Sequence, residues 1–431
     1  FYSNKSFSAG RIELDASSFF KTSEDRSNSS ISFILNPKFE DEGSVLKGKV
    51  DLKAITLLGD SKSLTFEAKD TYLATSKKLL SNNQISLGRK FEQWSVTDND
   101  WKMGLWSPRF LWNPLNPEIV GLTGFFYQLK TKKIKLMAFA SPISVPERGV
   151  PINVENDQLT SNSPFFRPLP SSLELMENEI PINYSVEYPS VTEMLFRPGA
   201  SLLLRYGEEE KGFWLQGTMG FMPIHQADLS LDTKMSLENE VTLNATVRPG
   251  FGYHQIATVE SGYQTGNWSA WASVSGENPM QNKPSEGWMY VPMGSALITS
   301  WGGEWRLNDG FKIRISYLNI NEKEVELEND MAVDIALPTR FQYKKAWKIA
   351  GKWRAFSPLT YSFNWIYDID YNSNLISLDL TYQPSVLSRA RGGSGMSFSI
   401  GTDIITSASQ EGAIGQYFGD DRIRGKVSYV F

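Results

Sequence analysis

The residues of this sequence that are best suited to attract charged ligands lie in its last third. There, basic side chains recur at every second position of otherwise apolar segments, with carboxylates close by. If these segments are neighbouring strands that line a confined aqueous space, an excess of cations would favour anionic solutes. An alternative stays open, in which the charges pair across neighbouring strands and only keep that face hydrated. The residues concerned are Lys312, Arg314, Arg340, Lys344, Lys348, Lys352, Arg354, Arg424 and Lys426, with Glu304, Asp368, Asp370 and Asp379.

The sequence offers little for catalysis or for metal binding. It contains no cysteine, which excludes disulfides, thiolate metal sites and cysteine nucleophiles. Its two histidines, His225 and His254, lie near no G-x-S-x-G motif, and we find no phosphate-binding glycine loop or EF-hand loop. We therefore expect no catalytic residue, no metal ion and no cofactor. A hydrolase is kept only as a third interpretation.

The elements that must position the charged residues are predicted to be β-strands. Ile12, Leu14 and Ala16 alternate with charged residues, and Tyr361, Phe363, Trp365 and Tyr367 alternate with polar ones. A period of two places one set of side chains on each face of a strand. Several runs approach the ~9–11 residues with which a tilted strand crosses a bilayer. We count about 16–20 such strands, and single-chain bacterial barrels favour even numbers.

Composition agrees with strands that are apolar on one face only. Mean hydropathy is -0.31, and no apolar run reaches the ~18 residues of a membrane-spanning helix. A barrel strand alternates apolar and polar residues, so its average looks soluble. Aromatic residues make up 13% of the chain, as expected for two interfacial girdles. The net charge of -5 gives no support to a nucleic-acid partner.

The last residues of the chain have the features of a barrel-closing strand. Ile423, Val427, Tyr429 and Phe431 fall on one face, with basic residues between them. The last strand of a barrel must pair with the first, and we expect a partner near Ile12 and Leu14. Here the chain resembles Gram-negative outer-membrane β-barrels, whose last strand typically ends in Phe. The resemblance implies a multi-pass barrel in a bacterial outer membrane, recognition by the barrel-assembly machinery, and contact with outer-membrane lipids and lipopolysaccharide.

A second resemblance lies in residues 85–90, which read Ile-Ser-Leu-Gly-Arg-Lys. They resemble the Leu-Gly-Arg strand ending of substrate-specific porins and polysaccharide-export barrels. The resemblance implies that Arg89 points into the lumen and that the following Trp- and Pro-rich stretch folds inward. We expect the tryptophans of that stretch to anchor it or pack it rather than to stack on a ligand.

The sequence thus predicts an all-β protein: a closed antiparallel transmembrane β-barrel of roughly 16–20 strands with long loops on one side. Residues 1–431 form one domain, in which the irregular segments 91–120 and 142–195 are constriction or plug segments or extracellular loops. A soluble propeller is disfavoured because no repeat is visible. The chain begins at Phe1, which suggests that a signal peptide has been removed.

Two functions follow from this fold. The first is a non-enzymatic outer-membrane channel or substrate-selective porin for small hydrophilic solutes, anionic ones if the basic residues are free. The alternative is a structural barrel that anchors or collars a multiprotein envelope complex, with its lumen plugged by loops. Homo-oligomers or envelope proteins are the partners considered in either case.

Overall fold

Eighteen antiparallel strands form a closed barrel in the computed structural model. The strand number lies within the predicted range, and the all-β prediction is confirmed. The strands are β1 (Phe7–Phe19), β2 (Ser29–Glu42), β3 (Leu46–Leu57), β4 (Thr65–Ala68 and Thr71–Thr75), β5 (Asn83–Lys90), β6 (Leu122–Lys130), β7 (Ile134–Ser141), β8 (Gly199–Gly207), β9 (Gly212–Pro223), β10 (Tyr253–Gln264), β11 (Trp268–Met280), β12 (Ala296–Asn308), β13 (Phe311–Glu322), β14 (Lys345–Phe356), β15 (Leu359–Asp368), β16 (Ser373–Tyr382), β17 (Gly395–Thr406) and β18 (Arg422–Val430). The structure describes residues 7–20, 29–59, 61–76, 79–166, 168–175, 178–208, 211–237, 241–282, 287–308, 310–324, 340–356, 358–384, 395–409 and 411–431.

The barrel is closed by its first and last strands. β1 pairs antiparallel with β18, placing Ile12 opposite Tyr429 and Leu14 opposite Val427. Phe431 continues the ladder, since its amide donates to the Gly10 carbonyl at 2.9 Å and its carbonyl accepts from the Gly10 amide at 2.8 Å. This is the pairing expected from the sequence, and it leaves neither strand with an open edge.

Alternation along each strand separates an apolar exterior from a mostly polar interior. On β9, for example, Phe213, Leu215 and Met219 are exposed, whereas Gln216 and Thr218 between them are buried. The closing-strand residues follow the same rule, because their side chains all lie on the exposed outer face: Ile423, Val427, Tyr429 and Phe431. A closed sheet suits a bilayer because every backbone polar group of the wall is paired within the sheet.

The two ends of the barrel differ in the length of their connections. The end that carries both termini has most of the short turns, such as residues 43–45, 131–133 and 265–267, and the opposite end has most of the long loops. The turns near Asp309-Gly310 and Asn372 are both short, but they do not share an end. Three strands, β13, β14 and β15, separate the two turns, so they lie at opposite ends. Asp309 itself is outside the described residues.

The long segment 142–195 is more regular than predicted. It contains the strand Asn178–Val186 and the helix α2 (Val191–Leu195). Asn178–Val186 pairs in parallel with Thr242–Gly250, a segment in which apolar and polar residues also alternate. Both belong to a separate accessory sheet with its own small core, because strand alternation alone does not distinguish a core from lipid. The strands of that sheet are Ser172–Leu175, Asn178–Val186, Asp228–Ser236, Thr242–Gly250 and Met289–Tyr290.

Helices are few and short. The longest in the described residues, α1 (Val96–Trp101), precedes α2 in the chain and lies in the connection between β5 and β6. No helix in the described part of the chain is long and apolar enough to span a membrane.

Candidate solute pathway in the barrel lumen

Residues 91–121, here called the inner loop, pack against the inner wall of the barrel as a compact unit. Ser95 caps α1 by accepting a hydrogen bond from the Asp98 amide at 3.1 Å. The Asp98 carboxylate accepts from the amides of Leu105 at 3.0 Å and Trp106 at 3.1 Å, which folds the chain back on itself. Burial raises the pKa of the Asp98 carboxyl to about 6, although the two amides oppose the shift. Trp106 stacks on Trp94 with ring centres 6.1 Å apart, so these tryptophans pack the loop.

One side of the inner loop is attached to β9 and β10 through Glu260. The buried Glu260 carboxylate accepts hydrogen bonds from the Ser95 hydroxyl at 2.7 Å and from the amides of Val96 and Thr97 at 2.9 and 3.2 Å. Thr218 on β9 donates to the Trp94 carbonyl at 2.9 Å. A buried carboxylate with several donors is strongly held, so Glu260 fixes where the inner loop begins.

A second attachment joins α1 to β13 and β14. Asp100 lies 2.9 Å from Arg314 and 3.4 Å from Lys348, and Lys348 also donates to the Asp100 carbonyl. Burial alone would raise the pKa of Asp100, but Lys348 and Arg314 outweigh burial and hold this pKa below its ordinary value. Two cations that the sequence proposed for solute contact therefore also hold the inner loop.

The third attachment is to β3 and β4, on a different part of the barrel wall from the first two. Glu118 of the inner loop pairs with Lys53 at 2.6 Å and with Lys69. Burial opposes ionisation, yet the two lysines lower the pKa of Glu118 to about 2.

Arg89 lies on the inward side of β5 and is buried. It pairs with Glu67 at 2.7 Å and donates to the Gly121 carbonyl at 3.0 Å, so it ties the end of the inner loop to the wall. Gly88 before it has a φ of 128°, and a Cβ there would lie 2.6 Å from the Thr71 carbonyl oxygen. The glycine is needed for this close approach of β4 and β5.

Between the inner loop and the inward face of β13–β18 lies a cavity of about 550 Å³. Among the described residues, seven basic side chains and three carboxylates line it. The basic ones on the strands, here called the basic wall, are Lys312, Arg314, Lys348, Lys352, Arg422 and Arg424, and the seventh is Lys102 of the inner loop. The carboxylates are Asp100, Asp379 and Asp403.

The carboxylates near the basic wall are shared among several cations. Glu304, buried on β12, lies 2.7 Å from Lys312, 2.9 Å from Arg314 and 2.5 Å from Arg306. Asp403 lies 2.6 Å from Arg422 and 3.1 Å from Arg424, which also pairs with Asp379 at 3.0 Å.

Lys352 is exposed in the cavity and has no carboxylate partner among the described residues. The cations of the cavity lining are therefore only partly neutralised by carboxylates. Most of them have a partner, but the lining keeps more positive than negative groups.

The remaining sequence candidates lie elsewhere. Arg340 is buried against Glu277 and His254 at the long-loop end, and burial lowers its pKa to about 9. Asp368 ends β15 at the same end and accepts from the Asp370 amide at 3.2 Å. Arg354 is exposed near the short turns and does not line the cavity. Within the described residues, no group of three His, Asp or Glu side chains is arranged to hold a metal ion.

Two cations that line the cavity, Lys102 and Arg422, were not predicted from the sequence. Lys102 follows α1 in a left-handed conformation and donates to the Asn116 side chain at 2.5 Å. Burial, followed by the charge of Lys348, lowers the pKa of Lys102 to about 8. Its position in an irregular loop gave no periodic signal. Arg422 begins the closing strand, and its alternation with Arg424 was the signal that pointed inward.

Comparison with solved structures agrees with this architecture. The chain is similar to OccK9 (OpdG) of Pseudomonas aeruginosa, with 10% identity, coverage of 100% of this chain and 98% of the other, and a TM-score of 0.50. The chain has the fold of an outer-membrane porin-type β-barrel. OccK8 (OprE) of the same organism is 12% identical, with 100% and 98% coverage and a TM-score of 0.48. A mutant of the Rh. blastica porin is 10% identical over 100% of both chains, with a TM-score of 0.40.

Comparison at the level of sequence finds no match for this chain. No protein-family profile matches the chain, and no curated protein matches it by sequence. At such low identities the structural likeness concerns the fold. The function of the barrel has to be argued from its own residues.

Proposed function

We propose that the chain is a channel of a bacterial outer membrane that passes small hydrophilic anions between the inner loop and the basic wall. The observation that carries this proposal is the excess of cations over carboxylates in the cavity lining, with Lys352 exposed and unpaired within the described residues. In a confined aqueous path, an excess of one sign raises the local concentration of the opposite ion.

The sharing of carboxylates suits passage better than tight binding. Each of Lys312, Arg314 and Arg424 already contacts a carboxylate and keeps part of its side chain exposed. An anion can therefore be attracted by several partly satisfied cations in turn without being trapped at one of them. Conduction requires such attraction to be favourable enough for binding and weak enough for release. The proposal includes no catalytic step.

The proposal is tested by reconstitution in planar bilayers. We expect stable conductance steps, and in a KCl gradient we expect a reversal potential displaced toward that of chloride. A silent bilayer with protein that has been shown to be folded and inserted would overturn the channel. A reversal potential on the potassium side would overturn only the anion preference.

A second candidate is a structural barrel whose lumen is closed by its loops. The observation in its favour is the way in which the long loops are joined. Arg109 of the inner loop forms a bidentate pair with Glu147 of the next long loop at 2.6 and 2.8 Å, both buried. In the same long loop, Phe165 packs on Phe19 and on Arg422 at the closing seam.

The Glu260→Ala variant separates the two candidates. Losing this attachment should loosen the inner loop. In a barrel that is closed by its loops, the variant should convert a silent protein into a conducting one. In a channel that is already open, conductance should be present in the unmodified protein and only increase in the variant. Stoichiometric envelope proteins that are recovered with the silent form would support the structural role.

A further inference from the structure

The outer surface of the barrel has a recess on its lipid-facing side, across β7–β11. Here the outward side chains are small, so the surface is recessed between larger apolar neighbours on β8 and β9. The recess, here called the outer groove, is shallow and wide open to the membrane side, with a volume of about 890 Å³. A Cβ built on Gly276 would meet no atom within 4 Å. Its small residues are Ala138, Ala200, Ala257 and Gly276, and the larger ones include Leu202, Met219 and Phe221.

The outer groove ends at two amide side chains. Gln255 on β10 and Asn278 on β11 are directly opposite each other in the sheet and face outward, two residues from the long-loop ends of their strands. Phe221 and Tyr253 stack beside them with ring centres 5.1 Å apart. Aromatic residues of barrels gather at the boundary between hydrocarbon and head groups. The amides thus lie near that boundary, with the apolar part of the groove on the hydrocarbon side.

We propose that the outer groove binds one acyl chain of a membrane lipid, whose ester or amide linkage is held by Gln255 and Asn278. The groove is continuous with the lipid-facing surface, so hydrocarbon is the medium that surrounds it. An acyl chain that fills the recess restores the dispersion contacts that small side chains leave unmade. The Asn278 side-chain oxygen accepts from the Ser295 hydroxyl at 2.9 Å, so it is the NH2 groups of the two amides that would donate to the linkage carbonyl. An unpaired donor is costly in an apolar medium. Among the described residues the Gln255 side chain has no hydrogen-bond partner.

A second copy of the chain fits the groove less well. Another barrel would present a convex outer wall, which leaves the recess unfilled. Its apolar surface would also bury the NH2 groups of the two amides without acceptors, which is unfavourable. A linear chain with a carbonyl near one end avoids both problems.

Native mass spectrometry of the protein extracted from membranes in mild detergent tests the proposal. We expect the unmodified protein to retain one lipid, and Ala257→Trp, which fills the groove, to lower the lipid-bound fraction by about tenfold. Ala272→Trp is the matched control, because Ala272 also faces outward on β11 but lies outside the groove. It should retain lipid as the unmodified protein does. Equal retention in both tryptophan variants would overturn the proposal.

Two further variants keep the test decisive if Ala257→Trp does not fold. The double variant Gln255→Leu/Asn278→Leu leaves the recess intact and should still lower lipid retention, since the linkage loses both donors. Unchanged retention would remove the assigned role of the amides.

Because the chain has no cysteine, Ala257→Cys in membranes also tests the other occupant. A disulfide-linked dimer in high yield would assign the groove to a second copy and overturn the lipid site. A monomer that still retains lipid supports it. Channel activity does not enter any of these measurements, so the groove and the proposed function fail independently.

Discussion

On the inward face of β2–β5, Lys38, Lys47 and Lys49 each contact a carboxylate of their own, whereas on β12–β18 Glu304 is shared by three cations and Asp403 by two. We call the first region the matched wall. Its one-to-one pairs, at 2.6–2.9 Å, are Lys38 with Asp51, Lys47 with Glu40, and Lys49 with Asp70. Beside them, Glu67 holds the buried Arg89 and the partly exposed Arg148, each at 2.7 Å. On the basic wall, Glu304 serves Arg306, Lys312 and Arg314 together.

Charge has a different effect on the two sides of the lumen. Paired charges on the matched wall cancel at a short distance and hold strands and the inner loop together. Shared carboxylates on the basic wall leave a net positive field in the cavity, which acts on mobile ions. Removing a carboxylate should therefore cost mainly stability on the matched wall and change mainly selectivity on the basic wall.

The largest effect is expected for Glu67→Gln on the matched wall. Arg89 is buried, and the substitution leaves its charge without a carboxylate. Removing one partner of a buried ion pair lowers the free energy of unfolding by about 3–5 kcal/mol in other proteins. We expect a loss near the lower end, about 3 kcal/mol, measured as the free energy of unfolding in urea from lipid vesicles. A loss below about 1 kcal/mol, the value typical of exposed pairs, would contradict the assigned pairing.

Glu304→Gln should have the opposite balance on the basic wall. Glu304 is buried, but its three partners are partly exposed and can be hydrated when it is lost. We expect a loss of stability of only about 1 kcal/mol, together with a stronger anion preference in bilayers. If stability falls as far as in Glu67→Gln while selectivity is unchanged, the two walls do not differ in the way proposed.

Lys352→Gln removes an unpaired charge from the cavity lining. Two unit charges 4 Å apart interact by about 1 kcal/mol in water, which corresponds to roughly fivefold in an ion's local concentration. We expect the chloride-to-potassium permeability ratio to fall by up to about that factor. The control is Lys38→Gln/Asp51→Asn on the matched wall, which removes a pair without changing the net charge and should leave the ratio unchanged.

The smallest effect is a pH dependence from Lys102. Its pKa is about 8, so the side chain is charged below pH 8 and becomes neutral as the pH rises through that value. Anion preference should therefore decrease between pH 7 and pH 9, by roughly twofold if one of several cations is lost. Lys102→Gln should remove this step and leave the rest of the pH profile. A step that persists in the variant belongs to another group.

The strands were more predictable than the paths of the loops. Alternation at Ile12 and Leu14 and at Tyr429 and Phe431 was enough to place these side chains outside and to pair the two strands. The same alternation at Leu243 and Ala245 did not reveal an accessory sheet, because a small core and a bilayer select the same pattern. For the inner loop the sequence left open an inward or an extracellular position, and it did not predict the attachments through Glu260 and Asp100. Neither carboxylate differs in its local sequence from an ordinary solvated one.

The sequence by itself determined which side of each strand meets lipid, because a period of two acts within a strand and needs no knowledge of its neighbours. It also determined the closure of the barrel, through a last strand that is apolar on one face. Only the tertiary structure decided which cations face the cavity with a free charge. Asp100 reaches Arg314 across 214 positions of sequence and Lys348 across 248. Such contacts depend on the stagger of the strands and on the path of the inner loop, because an ion pair forms only where the charged atoms come within about 4 Å. The anion preference that we propose would therefore be a property of the assembled lumen.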